Sequence, residues 1–195
     1  MASVRFTDAQ TTDYALDLAS RKWSWEHPEA APLRLCYERL RLTQPFSKAI
    51  GYLPLRYPGG GLMSAAIVDR HDEHDRPAGI HRIFLKPRGD LYNGSRGARF
   101  SLGKIPNGRA VLFKPHRHLV MGESVEDTLV VRQHLLETGI DWGGWSMCGR
   151  LRPIPMPIGI TDITRTGHIA INRLAANLDK PTVEEEEDEY EHLLR

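Results

Sequence analysis

Cysteine is nearly absent from this 195-residue chain. Cys36 and Cys148 stand far apart and form no Cys-x-x-Cys pair. That excludes a zinc ribbon, and two reduced thiols in a cytoplasmic protein is the plain reading. No apolar run approaches the roughly 18–20 residues needed to cross a bilayer. Residues 1–10 mix Arg5 and Asp8 with small residues and carry no apolar signal-peptide block. No membrane association is expected, and the cytoplasm is the expected location. A GxxxxGK[ST] phosphate loop is missing, and so is a GxSxG nucleophile elbow. Cys148 has no paired base by motif, so a covalent nucleophile has no support in the sequence. No internal repeat is present.

The content that remains is that of an ordinary globular chain, since 41% apolar and 26% charged residues suffice for one core and a satellite lobe. The net charge of +1 hides an asymmetry. Residues 181–195 hold seven acids (Glu184, Glu185, Glu186, Glu187, Asp188, Glu189 and Glu191) against the single base Arg195. The preceding 180 residues then hold 25 bases and 18 acids, a net of +7. A basic body suits a polyanionic partner, and an acidic tail folds back over it or repels nucleic acid. The plainer alternative is a solvated tail on an unremarkable surface.

The periodicity divides the chain into an N-terminal helical region (1–50), a β-rich lobe (51–115), a compact α/β unit (116–180) and the acidic tail (181–195). Helical spacing covers 13–25, through Ala15, Leu18, Ala19 and Trp23, and 33–42, with Pro32 near its start. Strands are expected at 62–68 and 79–86, joined by a long polar hairpin loop at 69–78, and again at 109–113. The Gly- and Arg-rich span 91–99 reads as loop. From His118 onward the pattern alternates: strand 119–122, helix 125–138, strand 145–148, a stiff Pro153-Pro155-Pro157 connection, strand 158–160, and helix 168–178. This alternation implies a small parallel sheet with flanking helices, its polar groups gathered at the carboxyl ends of the strands. The fold class is therefore α/β.

Glu123 and Asp162 are the notable pair, each an acid placed just after an apolar run and just before a helix. Adjacent strands lie about 4.8 Å apart, so two such carboxylates can share a Mg²⁺ or Mn²⁺ that polarises a phosphoryl oxygen. Equally, both fit as acids at helix N-termini, where the macrodipole favours them.

These residues also carry a resemblance. The segment 121–129, Met-Gly-Glu-Ser-Val-Glu-Asp-Thr-Leu, is similar to the first Toprim signature, in which a catalytic Glu follows the first strand. Residues 161–170, Thr-Asp-Ile-Thr-Arg-Thr-Gly-His-Ile-Ala, are similar to the second, an Asp-x-Asp followed by Gly and an Ala-rich helix. Residues 79–85 resemble the His-Arg strand upstream of Toprim in the primases and primase-helicases of phages and plasmids. Ser101-Leu102-Gly103, the 110–112 strand and the helical region from Trp23 to Leu42 follow in the family's order, so the likeness spans nearly the whole chain. It implies a primase-related protein of a mobile element, associated with nucleic acid, with Glu123 as general acid or base and Asp162 and Thr164 at the metal. The cofactor it implies is Mg²⁺ or Mn²⁺.

The departures are equally specific. Thr164 stands where the family has its second metal Asp, and a neutral hydroxyl draws a hard cation poorly. Ser124 replaces a Gly and Asp127 a Thr, and the acidic tail stands where a further strand is expected. No zinc module precedes and no P-loop helicase follows, which reads as a shortened, degenerate relative with weak or lost nucleotidyl transfer. The alternative function is a non-catalytic protein that binds a replication or defence complex.

Nucleic-acid contacts are expected from Arg82 on its strand and from Arg96, Arg99 and Lys104, interspersed with Tyr92 and Phe100. Charge and stacking together bind single-stranded DNA, although a solvated loop explains the same residues. His71, His74, Asp69, Asp72 and Asp75 suggest a metal cluster or simply a polar hairpin. His116 and His118 flank a strand start near Glu123 and have no assigned role.

Overall fold

The computed structural model describes residues 7–43, 46–94, 96–103, 108–151, 154, 156 and 158–166. They form a mixed α/β fold of two four-stranded sheets and three α-helices. The expected helix at 168–178, the acidic tail, Pro153, Pro155, Pro157 and Lys104 lie outside the described residues. Among the described residues, no helix is long and apolar enough to cross a membrane.

Helix α1 (Asp8–Arg21) starts earlier than its apolar stripe because Thr7 and Gln10 form a reciprocal capping box. It also ends earlier than expected. Trp23 exchanges two backbone hydrogen bonds of 2.9 Å with Tyr52, so it extends the edge of the first sheet instead of the helix. After a 3-10 turn at Pro28–Ala30, α2 (Ala31–Arg39) buries Leu33 and Tyr37 and stops where Arg41 turns left-handed.

The first sheet is an antiparallel meander of β1 (Ile50–Arg56), β2 (Leu62–His71), β3 (Pro77–Leu85) and β4 (Arg99–Leu102). The run Ala65-Ala66-Ile67-Val68 is apolar without a break because β2 is buried on both faces. Ala65 and Ile67 pack towards Ala15 and Leu18 of α1, and Ala66 and Val68 pack towards α2 and the second sheet. The loop expected at 69–78 is much shorter than its polar composition suggests. Both strands run on into it, and Asp72 closes the turn by accepting from the backbone N–H groups of His74 and Arg76. β4 overlaps the span read as loop only at Arg99 and otherwise falls where no element is expected, since four residues of mixed polarity on a sheet edge leave no alternation to see.

The second sheet has the order β5-β7-β6-β8, from β5 (Ala110–Phe113), β6 (His118–Gly122), β7 (Trp142–Ser146) and β8 (Asp162–Thr166). β7, β6 and β8 are parallel, whereas β5 runs antiparallel to β7. Helix α3 (Val125–Leu136) makes the crossover from β6 to β7 and packs Val125 and Leu129 into the core shared with the first sheet. β7 begins three residues before its expected start, at Trp142, because Gly143 and Gly144 read as breakers. In the fold Gly143 lies so close to Pro115 that an added Cβ would sit 2.4 Å from the proline Cα.

The last strand corrects the sequence reading. Residues 158–160 are not a strand: Ile158 is exposed in a turn and Ile160 packs against Leu119, Met121 and Trp145. The ladder is made instead by 162–166, with His118 opposite Asp162 and Gly122 opposite Thr166. Apolar content there served packing rather than pairing.

Candidate functional site

The carboxyl end of β6 is built from tight backbone contacts. An added Cβ at Gly122 would meet the Thr128 hydroxyl oxygen at 2.2 Å and the Thr128 nitrogen at 2.9 Å, so only glycine lets the strand meet the helix here. The Glu123 N–H donates to Thr166 of β8, and the Glu123 carbonyl accepts from Gly149 beyond β7 at 2.8 Å. Glu123 thus sits half-buried among three parallel strand ends, at the point where β6 leads through α3 to β7 on one side while β8 pairs on the other. In open α/β sheets this is where ligands gather.

Asp162 is not there. It opens β8 rather than closing it, and the register puts it beside His118 at the amino end of the sheet. Five residues of strand separate that level from Glu123, about 16 Å at roughly 3.3 Å per residue. The two carboxylates therefore do not share a cation. Asp162 is exposed, with Oδ2 2.9 Å from His118 Nδ1, and Thr164 sits halfway along the strand opposite Val120. At the carboxyl end, the β8 residue next to Glu123 is Thr166. No group of three or more His, Cys, Asp and Glu is placed to hold a metal among the described residues. In the β2–β3 hairpin, Asp72 is occupied by the turn and by Arg76, and Asp75 pairs with Arg109 at 2.6 Å. His116 lies 3.9 Å from Asp141, also at the amino end.

Of the expected nucleic-acid contacts, Arg96 is exposed in the connection before β4. Arg82 lies half-buried with its guanidinium 5.9 Å from the Phe100 ring, and burial lowers its pKa from the usual arginine value. Arg99 turns inward and pairs with Glu126 at 2.9 Å. The structure brings Arg99 close to the Glu123 end of α3 but leaves Arg82 on the face that packs against α1.

Of the side chains that do converge, the sequence pattern singles out Arg99, and for another role. A cleft of about 530 Å³ opens between α2, the β3–β4 connection, β4 and the first turn of α3. Arg39, Arg99, Glu126 and Asp127 line it, with Leu40 and Leu91 as apolar wall. Helix α3 enters through a second capping box: Ser124 accepts from the Asp127 N–H at 3.0 Å, and Asp127 Oδ2 accepts from the Ser124 N–H at 3.2 Å. That box holds Glu126 in the first helical turn, facing Arg99 of the other sheet. Arg39 pairs with Asp90 at 2.7 Å and donates from Nε to the Arg88 carbonyl. No sequence signal marks Glu126 beyond its place in a first turn, because its partner is 27 residues away.

Behind this pair lies a buried polar seam. His81 Nδ1 and an Arg70 nitrogen both meet the Ser101 hydroxyl, at 3.1 and 3.0 Å. Burial, with Arg70, Arg99 and Arg82 nearby, holds the His81 imidazole down to about 3, so it is neutral at pH 7. Cys148 has a left-handed backbone (φ 50°), and burial pushes its thiol up to about 11 despite Arg70 and the Ser146 hydroxyl. The Cys36 thiol, at the cleft, is raised to about 11 by burial and by Glu126. Both thiols stay protonated at neutral pH and are weak nucleophiles. The arrangement can bind through paired charges and hydrogen bonds, but it presents no activated nucleophile.

No protein-family model, curated protein or solved structure matches this chain. The fold and the site define a two-sheet mixed α/β protein with a charged cleft at the seam of its sheets.

Proposed function

We propose that this chain is a nucleic-acid-associated protein related to the Toprim-type primases of mobile elements, in which metal-dependent phosphoryl transfer has been lost. One observation carries the loss of catalysis: the carboxylates matched to the general acid/base and the metal ligand stand at opposite ends of one sheet. A phosphoryl-transfer site needs its cation and its acid/base group within reach of one phosphate. Glu123 at the carboxyl end of β6 and the β6-α3-β7 crossover agree with the resemblance. Asp162 and Thr164 do not supply the rest of a Mg²⁺ or Mn²⁺ site. The net +7 of residues 1–180 supports a polyanionic partner, and Arg96 with the exposed Arg88 supplies cations at the β3–β4 connection.

The test is fluorescence anisotropy of a labelled single-stranded DNA between 50 and 300 mM salt, paired with Mg²⁺ and Mn²⁺ calorimetry. Binding that weakens steeply with salt, together with silent calorimetry, supports the proposal. Primer synthesis in the presence of Mg²⁺, or salt-independent binding, refutes it. If the chain binds no single-stranded DNA at any salt concentration and makes no primer, the other reading, a non-catalytic protein that binds a replication or defence complex, takes its place.

A further inference from the structure

The charge of this chain is divided between two places. Residues 184–191 hold seven acids in eight positions, interrupted only by Tyr190, and with the base Arg195 they give residues 181–195 a net of −6. The other 180 residues are net +7. Several exposed bases of that body are already answered by a neighbouring acid: Arg21 by Asp17, Arg76 by Asp72 and Arg39 by Asp90. The β3–β4 connection is different. Residues 86–99 hold Lys86, Arg88, Arg96 and Arg99 against the single acid Asp90, which Arg39 of α2 occupies. Arg99 is answered by Glu126. Arg88 and Arg96 are exposed and pair with no carboxylate among the described residues.

Both arginines stand on fixed backbone. The Lys86 N–H donates to the Asp90 carbonyl and the Gly89 N–H to the Lys86 carbonyl, which closes the turn carrying Arg88. The Arg96 N–H donates to the Tyr57 hydroxyl at 3.2 Å, and that hydroxyl donates to the Gly97 carbonyl at 3.1 Å. A polyanion that meets this surface does not have to order it first.

The acidic segment is rooted on the same side of the molecule. β8 ends at Thr166, whose carbonyl accepts from the Glu123 N–H. Three residues on, Glu126 reaches Arg99 at 2.9 Å, and Arg96 lies three residues before Arg99. At about 3.8 Å per residue, this path keeps Thr166 within roughly 40 Å of Arg96. Seventeen residues, 167–183, separate Thr166 from Glu184, and a chain of that length spans up to about 60 Å. A ligand tethered within reach acts at an effective concentration that a free competitor has to exceed.

We infer that the acidic segment 184–191 docks in cis on the Arg88–Arg96 surface and excludes single-stranded nucleic acid from it. The inference rests on the nucleic-acid reading above and gives that surface a built-in competitor. Carboxylates at nearly every position imitate a run of phosphates, and Tyr190 places a ring among them. The segment thus offers both kinds of contact by which single strands are held, charge and stacking.

The test uses the full chain with a nitroxide spin label on Leu193→Cys, and reads amide line broadening by NMR. At 50 mM salt the amides of residues 86–97 should broaden more than those of residues 114–118, and the difference should vanish at 300 mM. Arg88→Ala with Arg96→Ala should abolish the broadening. Lys114→Ala with Arg117→Ala removes the same charge from another exposed site and should leave it intact. Excess oligo-dT should relieve the broadening.

Equal broadening over both regions, or equal loss in both double variants, overturns the inference, because attraction would then be general. Broadening of an isotope-labelled chain by a separate spin-labelled chain overturns docking in cis. The two readings fail separately. If oligo-dT binds with a steep salt dependence while residues 86–97 show no preferential broadening, the docking falls and the nucleic-acid reading stands. If the broadening is present but oligo-dT neither binds nor relieves it, the nucleic-acid reading falls and the competition falls with it.

Discussion

His81 shows how a single side chain ties folding to pH. Its pKa is near 6.5 in the unfolded chain and about 3 in the fold, held down first by burial and then by Arg70, Arg99 and Arg82. The unfolded state therefore binds more protons below pH 6.5, and protonation favours unfolding. The stability that depends on neutral His81 is fully present above pH 6.5 and is lost progressively towards pH 3. Between pH 7 and pH 4 the loss is on the order of 3 kcal/mol. Carboxylates also respond to acid in this window, so the discriminating measurement is a difference. Urea unfolding of the wild type and His81→Gln should show a stability gap that narrows as pH falls. A gap that stays constant would show that His81 is not neutral because of its surroundings. His81 and Arg82 are adjacent on β3, so their side chains take opposite faces of the sheet. The three arginines near His81 come from β2, β3 and β4, and no local pattern encodes their convergence.

Elements depend on close contacts at their ends. Ser124 caps α3 on both sides of its capping box, and its carbonyl accepts from the Thr128 hydroxyl at 2.8 Å. Ser124→Ala should cost about 1 kcal/mol, measured as a lower urea midpoint at unchanged slope. Gly122→Ala should cost more, about 1–3 kcal/mol, because the new methyl meets the first turn of α3 below 3 Å. An alanine variant as stable as the wild type would show that strand and helix do not approach this closely. Helix α3 is legible because apolar residues at helical spacing follow its cap at Ser124, whereas α1 begins ahead of its apolar stripe, at a cap on Thr7. β2, β3 and β6 are legible as apolar runs. β4 and the true position of β8 are not, because edge strands carry little apolar signal and the apolar Ile158 and Ile160 lie just before β8 rather than in it.

Across the whole molecule, the register of β8 against β6 decides the chemistry. With Asp162 at the amino end and Glu123 at the carboxyl end, millimolar Mg²⁺ should leave Tm unchanged. Thr164→Asp should not create a site, because Thr164 pairs at Val120, mid-strand and away from Glu123. Calorimetry on both proteins checks this. A metal response that disappears in Glu123→Ala would overturn the stated separation. At the same scale, the two sheets meet through α2, β5 and α3 in one core, and the Arg99–Glu126 pair bridges them at the cleft. Arg99→Ala leaves Glu126 buried without its cation and should destabilise the fold by about 3–5 kcal/mol, while Arg96→Ala on the surface should stay within about 0.5 kcal/mol. Thermal unfolding of the two variants separates the roles of arginines that look alike in the sequence.

By itself the sequence determined the α/β class, the order of helical and β-rich regions, and Glu123 at a strand-to-helix turn. These follow from periodicity, capping and local breakers, which act over a few residues. Only the tertiary structure decided that β5 runs antiparallel, that Asp162 begins its strand, and that Arg99 faces Glu126 instead of solvent. Those outcomes depend on pairing register and on contacts between residues tens of positions apart, where the free energy lies in matched burial and charge.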